Sequence, residues 1–253
     1  MTRRDQLLGA LEIGPQWTRR QADSQADSQA DFAPMAQSSG APLADQPASA
    51  DRHTDAEIAA MDWDALQAAV ATCTRCDLCR SRTRTVFGTG DPKAAWLFVG
   101  EGPGRNEDQQ GEPFVGPAGK LLDNMLAAMS LRRGRDVFIA NIVKCRPTDA
   151  TGKDRAPTPE EAAACRPYLQ RQIALIQPQI LVALGKVAAV TLLARDPGIA
   201  VSSLRGTVHR YGPLPLVVTY HPAYLLRALV DKRKAWEDLC LAMETRTIAA
   251  GAG

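Results

Sequence analysis

Six cysteines are spread along the 253-residue chain, and the first two, Cys73 and Cys76, form a C-x2-C knuckle. Cys145 and Cys165 lie far downstream, followed by Arg146-Pro147 and Arg166-Pro167. Two close thiols and two distant ones can close a four-thiolate site that ties the start of a domain to its middle. Such ligation suits either zinc or a [4Fe–4S] cluster, and spacing alone does not choose between them. Cys79 extends the knuckle to C-x2-C-x2-C, so which two of the three would bind also stays open. Cys240, on an amphipathic terminal stretch, reads as a core thiol. Three further segments carry unusual residues: the turn Gly100-Glu101-Gly102-Pro103-Gly104, the stretch Asn141 to Pro147, and His221-Pro222.

These segments follow apolar runs that read as strands. Trp96–Val99, Val137–Val143, Ile180–Leu184 and Leu216–Tyr220 are short and nearly continuous in apolar character, as expected of strands covered on both faces. Helical patterns fall between them near 117–130, 158–176 and 185–195, with another at about 54–71. Alternating strand and helix predicts an α/β fold, a three-layer α/β/α sandwich around a central four-stranded parallel sheet with right-handed crossovers. Ligands of such sheets bind beyond the carboxyl ends of the strands, where the unusual residues sit.

Domain organisation reads as a folded unit over 54–247 behind an extended start, with a disordered tail at 248–253. Residues 21–53 contain a QADS repeat and much Ala, Gln, Ser, Asp and Pro, a composition that cannot bury enough surface to offset its ordering entropy, so they read as a disordered linker. Residues 1–20 form a short amphipathic piece with Leu7, Leu8, Leu11, Ile13 and Trp17. Residues 1–55 carry five Arg against eight Asp and Glu; the remainder has 25 basic and 20 acidic residues, a net of +5 that tolerates a polyanion. No stretch approaches the ~20 apolar residues of a membrane span, and the start lacks the apolar core of a signal peptide. The expected location is cytoplasmic, where thiols are metal ligands or buried side chains rather than disulfides.

The cysteines, the glycine-rich turn and the terminal His-Pro together resemble the family 4 uracil-DNA glycosylases over residues 65–240. The matching segments are Cys73-Thr-Arg-Cys76, VFGTGDP (86–92), FVGEGPGRNEDQQGEPFVGPAGKLLD (98–123), NIVKCRP (141–147), PTPEEAAACRPYL (157–169), LVALG (181–185) and TYHPAYLLR (219–227). The resemblance implies a structural [4Fe–4S] cluster held by Cys73, Cys76, Cys145 and Cys165. It also implies hydrolysis of the N-glycosidic bond of uracil flipped out of DNA, the start of base-excision repair, by an enzyme expected to be monomeric.

The same resemblance assigns roles that the chemistry supports. Phe114 would stack on the flipped base. The Asn141 carboxamide can donate to uracil O4 and accept from N3–H, a pattern that cytosine reverses. Glu107 would fill the space of the thymine methyl, and Gly102 lines the base site where other classes carry an Asp. His221 would donate to O2 as negative charge gathers on the leaving uracil, and Glu101 would orient the base or the water. DNA contacts are expected from Lys144, Arg146, Arg155 and Arg227 on phosphates and from Tyr224 and Leu225 near the minor groove.

Two features depart from the family pattern or add to it. Residues 148–156 hold Asp154-Arg155 in a longer loop where the family has Asn-Arg, which leaves loop geometry and damage range open; this loop also lacks the His of DNA-trapping relatives, so turnover is expected. Residues 2–20 resemble the N-terminal peptide of the psi subunit of bacterial DNA polymerase III, which implies the chi subunit as a partner. Two rival readings remain: a non-catalytic zinc or iron–sulfur nucleic-acid-binding module, and a glycosylase for deaminated purines.

Overall fold

The computed structural model describes residues 53–251; the segments 1–20 and 21–53, His53 apart, lie outside them. The first helical pattern is two helices, α1 (Asp55–Ala60) and α2 (Trp63–Thr72). The break is chemical: the Asp62 carboxylate accepts the Ala65 N–H at 2.9 Å and so caps a new helix. Cys73 caps the end of α2, and the chain then passes through a 3-10 turn, Asp77–Arg80, to a short strand, β1 (Thr89–Gly90).

The sheet has six strands rather than four. In chain order they are β1, β2 (Trp96–Gly100), β3 (Val137–Asn141), β4 (Ile180–Leu184), β5 (Val208–Tyr211) and β6 (Leu214–Thr219), arranged β1-β3-β2-β4-β6-β5. β3, β2, β4 and β6 run parallel, and β1 and β5 pair antiparallel at the two edges. Every residue of β2, β3 and β4 is buried, which is why their sequences are uninterrupted apolar runs.

The pleat divides the core. Leu97, Val99, Phe138, Ala140, Leu181 and Val218 face one layer with α1, α2, α5 (Pro159–Ile176) and α6 (Lys186–Leu193). Trp96, Phe98, Ile139, Val182 and Val217 face the other with α4 (Pro117–Ala128) and α8 (Lys232–Gly251). α8 continues past the boundary expected at residue 247. Two short helices, α3 (Arg105–Gln110) and α7 (Pro222–Leu225), follow β2 and β6 and cover the carboxyl end of the sheet. No helix among the described residues is long and apolar enough to cross a membrane.

Candidate active site

Gly100 and Asn141 are register partners at the ends of β2 and β3. A Cβ at Gly100 would stand 2.4 Å from Asn141 Oδ1 and 2.6 Å from Phe114 Cζ, so only glycine lets carboxamide and ring meet there. Asn141 is 2% exposed, and its Oδ1 has no hydrogen-bond partner among the described residues. A buried acceptor left unmatched is costly unless a ligand donor completes it.

Phe114 is buried and holds a left-handed backbone, φ 56°, a conformation that costs about 1–3 kcal/mol in a non-glycine residue unless its surroundings enforce it. Two side chains do so. Glu107 Oε1 accepts the N–H groups of Val115 (2.9 Å) and Gly116 (3.1 Å), while its Oε2 accepts that of Gly104 at 3.2 Å. Arg133 donates to the carbonyls of Pro113 (2.8 Å) and Phe114 (2.9 Å) and pairs with Asp123 at 3.0 Å.

His221 faces Phe114 across the cleft, with ring centroids 5.5 Å apart. Its position comes from β6 and the turn into α7. Gly185, at φ 90°, begins the turn after β4, where a Cβ would approach His221 Cβ to 2.8 Å. The Ala223 N–H donates to His221 Nδ1 at 3.1 Å, so a neutral ring carries its proton on Nε2. Burial pushes the imidazole down to about 4, with the Arg227 charge adding and Glu107 opposing. The ring is therefore a neutral donor at physiological pH. Burial also raises the Glu101 carboxyl above its usual range.

These groups line one cleft of about 540 Å³, together with Gly102, Arg155, Tyr224 and Arg227. Asp154 joins them, a residue that the sequence marked only as a departure from the family pattern. Arg133 carried no signal, since it sits in a loop run of Arg132-Arg133-Gly134 that reads as solvated charge.

Two expected DNA contacts are corrected. Lys144 is 1% exposed and turned inward, its ammonium on the Asn141 carbonyl and Gln172, so it cannot reach a phosphate. Leu225 is buried against the domain; the apolar side chains that face outward there are Leu226, Leu229 and Val230. Arg155 lines the cleft and Arg146 does not, and both are paired internally, Arg155 with Glu161 (2.6 Å) and Arg146 with Asp154 (2.5 Å). Tyr224 is exposed and donates to Asp231 at 2.6 Å, and Arg227 is exposed with no acidic partner among the described residues.

On the other side of β3, Cys73, Cys76, Cys145 and Cys165 line a single crevice, and Cys79 does not. Their sulfurs meet N–H donors: the Lys144 N–H points to Cys165 Sγ (3.3 Å), Arg82 to Cys145 Sγ (3.2 Å) and the Arg75 N–H to Cys73 Sγ (3.5 Å). The side chains are not drawn into a ready ligation geometry. The donor set nevertheless fits a thiolate-bound metal group, because all four cysteines line one crevice and three of their sulfurs face N–H donors.

The fold and cleft define a class: an α/β/α protein with an open cleft at the carboxyl end of its sheet, lined by an aromatic ring, a carboxamide and an imidazole. The sequence profile of the Uracil DNA glycosylase superfamily matches residues 87–240. Type-4 uracil-DNA glycosylases are similar to this chain: that of Archaeoglobus fulgidus is 45% identical over 163 residues, 62% of this chain and 79% of the relative. That of Thermotoga maritima is 43% identical over 159 residues, covering 62% and 80%, and that of Pyrobaculum aerophilum 37% over 187 residues, covering 72% and 93%. The chain belongs to the uracil DNA glycosylase superfamily, within its type-4 family.

Proposed function

We propose that this protein is a uracil-DNA glycosylase that hydrolyses the N-glycosidic bond of uracil flipped out of DNA, and that it does so with a neutral imidazole. The observation that carries the reading is the unpartnered Asn141 Oδ1 at the floor of the cleft. Uracil supplies the missing donor through N3–H while its O4 accepts from the same carboxamide; cytosine offers an acceptor at N3 and an amine at C4, leaving both buried groups opposed. Phe114 stacks on the extruded ring, whose unstacking costs a few kcal/mol and least at a mismatch.

Bond cleavage places negative charge on uracil, chiefly at O2. The Nε2–H of His221 meets that charge as it forms, so it stabilises the transition state more than the bound substrate. Glu101, its carboxyl raised by burial, lines the same cleft and orients the base or the water. The carboxylate of Glu107 is spent on three backbone N–H groups, so its part is to hold the Phe114 loop, with its methylenes as the wall near the C5 position. Cys73, Cys76, Cys145 and Cys165 would hold a [4Fe–4S] cluster, which when bound cross-links the end of α2 to the segment after β3 and to α5; the hydrolysis needs nothing further from it.

The test is release of uracil from deoxyuridine oligonucleotides by the iron-replete protein, followed by alkali cleavage, beside hypoxanthine and xanthine substrates. Binding without base release would favour the non-catalytic module, and faster purine release would favour the deaminated-purine reading. We also propose that residues 2–20 bind the chi subunit and so tether the enzyme to it. Equal capture of chi by wild type and Trp17→Ala would remove that partner.

A further inference from the structure

Lys144 is an oddity that the reaction above does not use. It is a cation on a fully enclosed stem, 1% exposed, and no carboxylate contacts it among the described residues. Burying an ammonium is expensive; no carboxylate among the described residues compensates it, though it lines the same crevice as Cys145 and Cys165, so what it touches matters. Its Nζ donates to the Asn141 main-chain carbonyl at 3.0 Å and to Gln172 Oε1 at 2.6 Å. Gln172, itself 0% exposed and projecting from α5, donates in turn to the Phe87 carbonyl at 2.8 Å. The same lysine is tied at its backbone: its N–H points to Cys165 Sγ at 3.3 Å and its carbonyl accepts the Val86 N–H at 2.7 Å.

The Asn141 carbonyl lies at the last residue of β3, where the ladder to β2 ends. Beyond it the N–H groups of Ile142 and Val143 still donate to the carbonyls of Gly100 (2.9 Å) and Glu101 (3.2 Å) before the chain reaches Cys145. A carboxamide that must distinguish two bases by the direction of its hydrogen bonds needs its main chain fixed; backbone bonds to the end of β2 hold the N–H groups of the two residues that follow, and the Asn141 carbonyl itself is held by Lys144. We propose that Lys144, braced by Gln172, is a positioning residue for uracil recognition: it pins the main chain of Asn141 and couples that pin to the cysteine crevice through Cys165. The inference rests on the reading of Asn141 as the base-facing residue.

The test is a double-mutant cycle on the full-length, iron-loaded protein, read as the single-turnover rate of uracil release. Lys144→Met is expected to slow release roughly 10- to 100-fold, the scale of a misplaced contact, with binding to abasic DNA unchanged. If Lys144 acts through Asn141, then Asn141→Ala with Lys144→Met is no slower than Asn141→Ala alone. Should Lys144→Met fail to fold, Gln172→Leu takes its place in the same cycle, and Gln172→Glu, which keeps an acceptor for the ammonium, restores most of the rate. Multiplying effects in the double mutant, or a wild-type rate in the single mutants, would overturn the proposal. An Asn141→Ala protein that releases uracil at full rate would instead bring down the underlying reading of the pocket, so the two failures are told apart.

Discussion

His221 makes its contribution as an uncharged ring, and that fixes how activity responds to acid. An unperturbed imidazole titrates near 6.5, whereas burial holds this one at about 4. Uracil release by the wild type should therefore stay level as pH falls from 8 through 6 and decline only as pH approaches 4, where protonation of Nδ1 breaks the bond from the Ala223 N–H. Stability follows the same shift with the opposite starting point: the unfolded ring takes its proton below about 6.5 and the native ring does not, so acid favours unfolding between 6.5 and 4 and adds nothing further below. A rate profile with a midpoint near 6.5 would contradict the buried, neutral donor. Removing the donor by His221→Ala should cost about 100- to 1000-fold in single-turnover rate, the range for deleting one group that stabilises a forming anion. Glu101→Gln should cost no more than about tenfold, because a side chain that only orients water or base is replaced by a nearly isosteric amide that keeps a hydrogen-bonding oxygen. A Glu101→Gln protein as slow as His221→Ala would instead make Glu101 the general base.

At the scale of elements, the pocket depends on a loop held against its own preference. Phe114 keeps its left-handed backbone because Glu107 from α3 and Arg133 from the loop after α4 grip the peptide groups around it. Glu107→Ala and Arg133→Ala should each weaken inhibition by free uracil roughly tenfold, since an untethered ring no longer presents a fixed face, while affinity for abasic DNA stays the same. Glu107→Ala has a second readout. Thymine release by this variant would make the side chain a wall at C5 as well as a clamp, and its absence would leave the clamp alone. What the sequence made legible here, and what it hid, follows from burial. The central strands announce themselves as apolar runs because both faces are covered. β5 does not, because Val208, His209, Arg210 and Tyr211 lie at an edge with exposed and half-buried positions alternating, and β1 is too short to carry a pattern. The roles expected of Phe114, Asn141 and His221 came from motifs that resemble the family, and the structure brings the three side chains to one cleft. The turning of Lys144 inward could not, since Lys-Cys-Arg at a strand end looks like surface charge until Gln172, far along the chain on α5, supplies the buried acceptor. Leu225 was hidden in the same way: in Tyr-Leu-Leu-Arg nothing local says which leucine packs inward.

For the molecule as a whole, the four thiols matter because of what they join. Cys73 and Cys76 stand where α2 ends, Cys145 follows the turn beyond Asn141, and Cys165 sits on α5. Between Cys145 and Cys165 runs the loop that brings Asp154 and Arg155 to the cleft. That loop is held by the Arg146–Asp154 pair, whose half-exposed carboxylate makes it worth little, and by the two-bond Arg155–Glu161 pair on a buried carboxylate, which holds it more firmly. A metal group across the four sulfurs is a far stronger constraint, and its binding energy becomes folding energy. Cys145→Ser should therefore lose most of the bound iron and lower the melting temperature by about 10 °C or more, given a few degrees per kcal/mol for a domain of this size. Uracil release should fall with the iron, because Cys145 lies just beyond Asn141 in the chain and the same loop lines the base site. Cys79→Ser should change neither iron content nor melting, as its side chain lies outside the crevice. Metal analysis separates the alternatives: zinc in place of iron in protein purified without air would leave the four-thiol site standing and remove the cluster, and full iron with unaltered melting in Cys145→Ser would remove Cys145 from the ligand set.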